Sequence, residues 1–256
     1  MSPATALPPT RPEAPPAAPS PRGRGQRLLR ELVEVLLLAV ALYALITLCL
    51  QTVRVDGPSM VPTLQSDDLL FADKLTYRLH APERGDIVVV RQPGDAHRDL
   101  IKRIVGLPGD TIEIDGTYHL VDGGPRPAVL IKPAGRTSFQ VLREPYLPDP
   151  RRDPWTDVVF CCDRTGRATT QPQALVIPAD RFFVLGDNRN VSLDSRWIGL
   201  IPRDDILARA RLRIWPLTHV GLFGRGPGLA PALLMTVPVA PPPGRSRDAV
   251  RLPGRW

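Results

Sequence analysis

The chain has 256 residues, of which 33 are Lys or Arg and 26 are Asp or Glu, so its net charge is +7 at pH 7. This length allows one domain of ordinary size, or one domain with an insertion. The basic charge comes without interleaved aromatic residues or a nucleic-acid-binding motif, so it favours contact with an anionic lipid surface over DNA.

Residues 1–26 are rich in Pro, Ala, Ser and Arg, a composition that cannot bury a hydrophobic core. We expect a disordered, partly polyproline II tail here, and we assign it no function.

An apolar run follows from Leu32 to Leu50, interrupted only by Glu34 and Thr47. A helix of this length spans about 28 Å, enough to cross the hydrocarbon core of a bilayer. We therefore predict a transmembrane anchor helix over residues 27–52. Five arginines precede the run and only Arg54 follows closely, so the positive-inside rule places the N-terminus in the cytoplasm and the rest of the chain on the exported side. The alternative is a cleavable secretory signal, which the missing small-x-small cleavage site disfavours.

The segment from Val55 to Leu64 presents Ser59 on a turn. Gly57 and Pro58 interrupt the apolar run, and Pro62 disfavours a helical conformation at the residue before it. A serine on a fixed, non-helical backbone is a candidate nucleophile, although the same pattern also fits an ordinary turn serine. The four histidines lie in no motif, so a base for this serine has to come from elsewhere.

Lys102 is the candidate base, because it lies within the apolar run from Leu100 to Val105. Burial penalises the charged form of a lysine and lowers its pKa, and a neutral amine can accept a proton. The alternative is a solvated lysine on a strand face. A third stretch, from Val184 to Pro202, concentrates polar side chains on a loop that reads as the wall of an active site: Asp187, Asn188, Ser192, Asp194 and Arg196.

These stretches together resemble the bacterial type I signal peptidases, also called leader peptidases, which are membrane-anchored Ser-Lys endopeptidases. The similar motifs are Ser59-Met-x-Pro-Thr63, Arg84-Gly-Asp86, Lys102-Arg-Ile-Val-Gly-Leu-Pro-Gly-Asp110 and Gly186-Asp-Asn-Arg-x-x-Ser-x-Asp-Ser-Arg196. They occur in the family's order, and the resemblance covers roughly residues 27–216.

The resemblance implies that Ser59 attacks the scissile bond of secretory preproteins at the bacterial plasma membrane, after small residues of the A-x-A type, while Lys102 acts as base. It also implies that Ser192 hydrogen-bonds the Lys102 amine. The other residues of the last motif have supporting roles: an ion pair for Asp194 with Arg196, and the shaping of a turn for Asp187 and Asn188. A Ser-Lys dyad supplies both nucleophile and base, so no cofactor or metal is implied.

The oxyanion hole departs from many members of this family, which carry a hydroxyl residue where this chain has Gly57. The backbone N–H groups of Ser59 and Gly57 are the candidate donors. We expect small apolar residues to line the substrate pocket, and ordinary core packing is the alternative for each of them: Val53, Val55, Met60, Leu64 and Ile101.

The part of the chain after the anchor is predicted to be mainly β. The predicted strands are short β-branched or aromatic runs between turn residues: residues 69–72, 86–91, 100–105, 111–114, 118–121, 181–185 and 210–215. Asp115-Gly116 predicts a two-residue hairpin. We expect a β-sheet catalytic domain over residues 53–114 and 181–216, with a smaller β subdomain inserted at residues 115–180. Residues 217–256 are predicted to be a Pro/Gly-rich tail. Its apolar stretch from Leu229 to Ala240 is short and contains two prolines, which favours contact with the membrane surface over a second crossing.

The adjacent Cys161 and Cys162 have no metal-binding spacing. A vicinal disulfide, two free thiols, or one thiol pairing between molecules all remain open. Two functional alternatives also remain: a Ser-Lys peptidase dedicated to one partner or to its own cleavage, and a non-catalytic membrane-anchored β module. The second is disfavoured because Ser59 and Lys102 are both present.

Overall fold

The computed structural model describes residues 21–121, 124–149, 155–156, 158–223 and 226–231. Residues 1–20 of the tail predicted at 1–26, and the end of the chain from residue 232, lie outside the described residues. The chain divides between Thr47 and Leu48 into two compact units.

The first unit contains all but the last two residues of helix α1 (Pro21–Cys49). Its section from Arg27 to Cys49 is long and apolar enough to cross a membrane, by length and composition. Its side chains from residue 27 to residue 48 are all exposed. The helix differs from the prediction at both ends: it begins at Pro21, inside the predicted tail, and it ends at Cys49. Proline is well tolerated in the first turn of a helix because its missing N–H would have no intrahelical partner there.

The second unit is built of strands β1 to β17 with two short helices, α2 and α3. In chain order the elements are β1 (Leu50–Arg54), β2 (Leu69–Asp73), α2 (Thr76–Leu79), β3 (Ile87–Gln92), β4 (Asp95–Gly106), β5 (Thr111–Glu113), β6 (Tyr118–Val121), β7 (Gly124–Pro127), β8 (Leu130–Lys132), β9 (Gln140–Arg143), β10 (Phe160–Cys161), β11 (Ala168–Thr169), β12 (Leu175–Val176), β13 (Arg181–Leu185), α3 (Ser195–Ile198), β14 (Ile201–Pro202), β15 (Ile206–Trp215), β16 (Gly221–Leu222) and β17 (Gly228–Pro231). Two 3-10 helices lie at Arg203–Asp205 and Leu217–His219. The predicted mainly β class is confirmed.

The strands form two principal antiparallel sheets. The first has the order β1-β2-β15-β3-β4-β13-β14, with β16 beside β15, and the second has the order β12-β5-β8-β9-β17. The pairs β6–β7 and β10–β11 form separate ribbons. Strand β2 thus pairs with the last long strand, β15, and β1 lies outside β2 at the edge of the sheet, while β3 and β4 lie near its centre.

One hydrophobic core joins the two sheets. It combines Val105, Phe183 and Leu185 of the first sheet with Ile112, Ile131 and Leu142 of the second. A second cluster lies around β3, β4 and β13, and a third packs the segment that follows β1 onto the first sheet. Strand β4 packs into the second cluster through Ile104, and the segment after β1 packs into the third through Met60 and Leu64.

The hairpin predicted at Asp115-Gly116 is wrong. Strand β5 pairs with β8 and β12, and β6 pairs with β7, so β5 and β6 are not neighbours. The Asp115 carboxylate accepts a 2.9 Å hydrogen bond from the Thr117 N–H, a local turn that redirects the chain. The backbone of Ile114 pairs with Cys161 instead.

The C-terminal segment also differs from the expected tail. Residues 221–222 pair with β15, and β17 pairs with β9 over the register Gly228 with Arg143 to Pro231 with Gln140. The apolar Leu229 packs against the core between the sheets. Of the apolar stretch 229–240, the structure describes residues 229–231, and this part packs into the second unit as a strand.

Cys161 and Cys162 are buried in the core between the sheets, and the structure joins them in a vicinal disulfide. Cys49, at the end of α1, is a free thiol.

Candidate functional site

The segment after β1 holds Ser59 in a closed loop. The Val55 N–H donates to the Asp68 carbonyl and the Asp67 N–H donates to the Val55 carbonyl, each at 2.9 Å. Met60 and Leu64 insert into the third core cluster on the far side of the loop. Gly57 has a φ of +85°, a left-handed conformation that glycine adopts without strain. Ser59 itself is half-buried, so its hydroxyl is fixed in position and still reachable.

Lys102 projects from the central strand β4 toward this loop. Its Nζ lies 2.9 Å from Ser59 Oγ and donates a second 2.9 Å hydrogen bond to the Ile101 carbonyl. The residue is 2% exposed, and the backbone of β4 at this point pairs with Val88 of β3. The fold thus brings together two side chains that are 43 residues apart in the chain.

Burial lowers the pKa of Lys102 to about 8 from its ordinary value of 10.5. The carboxylates of Asp194 and Asp187 oppose this shift, and the guanidinium groups of Arg98 and Arg196 reinforce it. A lysine with this pKa has a neutral fraction of about one tenth at pH 7, and a neutral amine beside a hydroxyl can act as a general base.

Asp187 forms a buried ion pair with Arg103, the residue after the candidate base. Its two carboxylate oxygens accept hydrogen bonds of 2.9 and 2.6 Å from Arg103 Nε and Nη2, and the Thr63 hydroxyl donates to Asp187 Oδ2 at 2.5 Å. Burial opposes the charge on Arg103, but the hydrogen bonds and charge of Asp187 prevail and raise its pKa. The guanidinium of Arg103 also stacks on the Tyr146 ring, 3.8 Å from its centroid. This pair connects β4, the loop at residues 55–68 that carries Ser59 (the nucleophile loop), and the motif at residues 186–196 (the last motif).

The backbone of the last motif touches the nucleophile directly. The Asn188 N–H donates a 3.0 Å hydrogen bond to the Ser59 carbonyl oxygen. Gly186 allows this approach, since a Cβ at that position would lie 2.5 Å from the Ser59 carbonyl oxygen and would also collide with Ser192 Oγ.

Asp194 and Arg196 form a second buried ion pair, with Nε to Oδ1 and Nη2 to Oδ2 distances of 2.8 Å each. Asp194 also accepts hydrogen bonds from the backbone N–H groups of Arg196 and Gly186. Burial alone would raise the pKa of Asp194, but the charge and hydrogen bonds of Arg196 lower it. The carboxylate therefore stays ionised and holds both ends of the loop from residue 186 to residue 196.

Ser192 does not have the contact that the family resemblance implies. Its hydroxyl is buried and makes no well-aligned hydrogen bond within the part of the chain that the structure describes. The Lys102 amine contacts Ser59 and the Ile101 carbonyl instead. The hydroxyl lies close enough to the Asp194 carboxylate to contribute to its lowered pKa, so it faces that acid.

One of the two expected oxyanion donors is occupied. The Gly57 N–H donates a 3.0 Å hydrogen bond to the hydroxyl oxygen of Ser66, so this amide is not available to a substrate oxygen. The Ser59 N–H makes no hydrogen bond to another described residue. Of the two predicted backbone donors, only that of Ser59 remains open.

Three of the predicted pocket residues are part of the protein core. Val55, Met60 and Leu64 are at most 2% exposed and pack against one another, so they have no surface to offer a substrate. Val53 in β1 and Ile101 in β4, the strand that carries Lys102, are half-buried and keep some accessible surface. They are the only two of the five predicted residues that are placed to contact a bound chain.

Several site residues were not identified from the sequence. Arg103 and Thr63 bind Asp187, Ser66 binds the Gly57 amide, and Glu144 forms a buried ion pair with Arg189. The run from Leu100 to Val105 has no polar alternation, which is typical of a strand covered on both faces and could have indicated that Arg103 is buried. No group of three His, Cys, Asp or Glu side chains among the described residues is placed to hold a metal ion.

Comparison with known proteins places the chain in a family. A sequence model described as "Signal peptidase, peptidase S26" matches residues 29–215. A signal peptidase I from Leptolyngbya laminosa is 32% identical over 227 residues, which are 86% of this chain and 95% of that protein. A probable signal peptidase I-2 from Synechocystis sp. is 33% identical over 209 residues, which are 79% of each chain.

A solved structure of a signal peptidase I from Enterococcus faecalis covers 51% of this chain and 97% of that chain, with 27% sequence identity and a TM-score of 0.32. Because the family match spans most of the sequence and the relatives align over most of both chains, the protein belongs to the signal peptidase family, peptidase S26, a family of serine endopeptidases that remove signal peptides.

Proposed function

We propose that this chain removes signal peptides from exported preproteins by a Ser-Lys dyad, with Ser59 as nucleophile and Lys102 as general base. The observation that carries this proposal is the 2.9 Å separation of Lys102 Nζ and Ser59 Oγ, together with the burial of Lys102, which is 2% exposed. A serine hydroxyl can act as nucleophile and a buried amine with a pKa near 8 as its general base, so the pair can carry out acyl transfer without a histidine.

In the proposed reaction, Ser59 Oγ attacks the scissile carbonyl carbon while its proton passes to the neutral Lys102 Nζ. The resulting ammonium gives this proton to the leaving amine nitrogen, and the N-terminal fragment stays bound as an ester of Ser59. The amine, neutral again, takes a proton from water while the resulting hydroxide attacks the ester carbonyl carbon. The bond from that carbon to Ser59 Oγ then breaks, the acid leaves, and the Lys102 ammonium returns its proton to Ser59 Oγ. The Ser59 N–H would donate to the oxygen that becomes negative in both steps.

The two buried ion pairs support the dyad and do no chemistry themselves. Asp187 holds Arg103 beside the base and Asp194 holds the loop that contacts Ser59. Their negative charges also keep the pKa of Lys102 from falling further. A hydrogen bond from Ser192 to the Lys102 amine stays a prediction of the family resemblance.

We propose that the preprotein lies along β1 and β4, against Val53 and Ile101, and that cleavage follows small residues of the A-x-A type. A small side chain suits a surface where three of the apolar residues expected to form pockets are already packed inside the protein. We further propose that α1 anchors the chain in the bacterial plasma membrane with the arginine-rich N-terminus in the cytoplasm, which the exposed apolar surface of α1 supports.

The test is cleavage of a purified preprotein by the full chain in detergent, with product N-termini read by mass spectrometry. The wild type is expected to cut after a small-x-small sequence, and Ser59→Ala and Lys102→Ala are expected to be inactive while retaining the wild-type circular dichroism spectrum. Lys74→Ala is a matched control, because Lys74 is a half-buried lysine immediately after β2 and makes no contact in the site among the described residues. Near-normal activity of Lys102→Ala would overturn the dyad.

A further inference from the structure

A segment of the predicted insertion at residues 115–180 reaches the site from the second sheet. Strand β9 is followed by Glu144-Pro145-Tyr146. The Tyr146 ring stacks on the guanidinium of Arg103, whose Cζ lies 3.8 Å from the ring centroid. The Tyr146 hydroxyl donates a 2.7 Å hydrogen bond to Glu144 Oε1. Tyr146 therefore touches the residue that follows the candidate base in the chain.

The Glu144 carboxylate ties this segment to the last motif. It accepts a hydrogen bond from Arg189 Nη2, and Arg189 Nε donates to the Gly186 carbonyl at 3.0 Å. Partial burial, followed by the charge of Glu144, raises the pKa of Tyr146 well above its ordinary value of 10.0, so the hydroxyl keeps the proton that it donates. The hydroxyl end of the Tyr146 ring is thus fixed by a buried ion pair.

The edges of the Arg103 guanidinium are occupied by other partners. Its Nε and Nη2 donate to Asp187, and its Nη1 donates to the Gly85 carbonyl at 3.0 Å. The Tyr146 ring stacks on a face of the same group, where a cation is attracted to an aromatic ring. Arg103 is 3% exposed, whereas Tyr146 is half-buried. Because Tyr146 has accessible surface of its own, removal of its ring would open that face of the guanidinium to water.

The charge of Asp187 acts on the candidate base. Burial lowers the pKa of Lys102 most, and four charged groups then shift it in one direction or the other: Asp194 and Asp187 upward, Arg98 and Arg196 downward. Arg103 neutralises Asp187 at close range, so a looser pair would leave more negative charge acting on the amine and would favour its ammonium form. Water that entered beside the pair would act in the same direction, because it would reduce the desolvation of the amine.

We propose that Tyr146 is a positioning residue for the dyad: its ring holds Arg103 against Asp187 and so limits the negative charge that acts on the Lys102 amine. In this role Tyr146 acts through Arg103 and takes no part in the chemistry. The inference deepens the proposed function and rests on it.

The first arm of the test measures the Lys102 amine directly and needs no cleavage. The chain has only three lysines, Lys74, Lys102 and Lys132, so NMR of the full chain in detergent with isotope-labelled lysine can follow each amine. Lys102→Ala identifies the Lys102 signal, which is expected to titrate with a pKa of about 8. Tyr146→Leu is expected to raise this pKa by about 0.5, and Tyr146→Phe, which keeps the ring, is expected to change it by less than about 0.2.

The second arm measures the pH profile of peptide cleavage. A rise of this size in the pKa of Lys102 lowers the neutral fraction of the amine about threefold at pH 7. For Tyr146→Leu, kcat/KM is therefore expected to be about threefold below the wild type at pH 7 and equal to it on the plateau above the titration. A loss of folded protein would instead lower the whole profile.

Tyr77→Leu is the matched control. The Tyr77 hydroxyl donates to Asp86 at 2.8 Å, and the Tyr77 ring centroid lies 5.4 Å from the guanidinium of Arg203, so the variant removes the same kinds of contact elsewhere in the fold. It is expected to lower the Tm and to leave the Lys102 titration in place. If Tyr146→Leu does not fold, Tyr146→Met, whose flexible side chain fills irregular gaps, replaces it in both arms.

The outcomes decide the role of Tyr146. A Lys102 pKa that rises in Tyr146→Leu and stays in place in Tyr146→Phe and Tyr77→Leu supports the proposal. An unmoved pKa in Tyr146→Leu, with or without a loss of Tm, would make Tyr146 a purely structural residue and overturn it. An equal rise in Tyr146→Phe or in Tyr77→Leu would overturn it as well, because the ring on Arg103 would not be the cause. If the wild type cleaves no preprotein, the proposed function fails, and the NMR titration still decides whether Tyr146 controls the charge on Lys102.

Discussion

The backbone N–H of Asn188 donates a 3.0 Å hydrogen bond to the carbonyl oxygen of Ser59. The last motif therefore positions the candidate nucleophile through its main chain. Its Asp187 and Asp194 side chains form ion pairs instead. This contact is possible because Gly186 presents no Cβ toward the nucleophile loop.

Gly186→Ala is expected to lower kcat by about 100-fold with a smaller change in KM. The added Cβ would lie 2.5 Å from the Ser59 carbonyl oxygen, so the nucleophile loop must shift, and a displacement of about 1 Å at the reacting atoms costs about this much. The measurement is steady-state cleavage of a peptide substrate. Gly221→Ala is the matched control, because nothing lies within 4 Å of a Cβ at that glycine and its φ is not left-handed. A rate for Gly186→Ala within twofold of the wild type would contradict the importance of this close approach.

The pH dependence of cleavage is expected to report the titration of Lys102. Because burial lowers its pKa to about 8, kcat/KM should rise about tenfold per pH unit below that value and level off above it. Arg98 is exposed, and its positive charge contributes to the lowered pKa. Arg98→Gln should therefore raise the pKa slightly and move the rising limb to higher pH, without a change in the plateau. A limb that stays in place, or one centred near pH 6, would assign the titration to another group.

The ion pair of Arg103 with Asp187 is expected to matter far more for stability when it is broken than when it is replaced. Arg103→Met leaves a carboxylate buried at 1% side-chain exposure without its partner, which costs about 3–5 kcal/mol. The double variant Arg103→Met with Asp187→Asn removes both charges and should recover most of that loss in a thermal or urea unfolding experiment.

The pair of Arg54 with Asp67 provides the control, because its 2.6 Å separation is the same and its side chains are 70% and 72% exposed. Arg54→Met should change the Tm little, since an exposed pair is screened by water and salt. Equal losses for Arg54→Met and Arg103→Met would show that burial does not decide the cost.

Much of the fold followed from local patterns. The apolar run after the arginines predicted α1, and short β-branched runs predicted the strands that surround the site. The family resemblance read from the motifs is confirmed by the match over residues 29–215. These features are readable because each depends on residues close together in the chain, such as the turn at Gly57 or the uninterrupted hydrophobicity around Lys102.

What failed depends on contacts between distant segments. The Asp115-Gly116 signal predicted a hairpin between β5 and β6, but β5 pairs with β8, and Ile112 of β5 and Ile131 of β8 both pack into the core between the sheets. The Gly57 amide was expected to be free, and its partner Ser66 lies across a loop whose closure no local pattern encodes. Similarly, hydrophobicity alone did not distinguish the packed Met60 from the accessible Ile101.

The pairing of β17 with β9 sets a limit on how far the chain can be shortened. A protein ended at Pro216, where the Pro/Gly-rich sequence begins, would lose β16 and β17 and leave the backbone of Gln140–Arg143 as a bare sheet edge. Such an edge pairs readily with the edge of another molecule, so the shortened protein would tend to aggregate. We therefore expect a soluble catalytic unit to need the chain through Pro231, because the four residues of β17 cover the edge of β9.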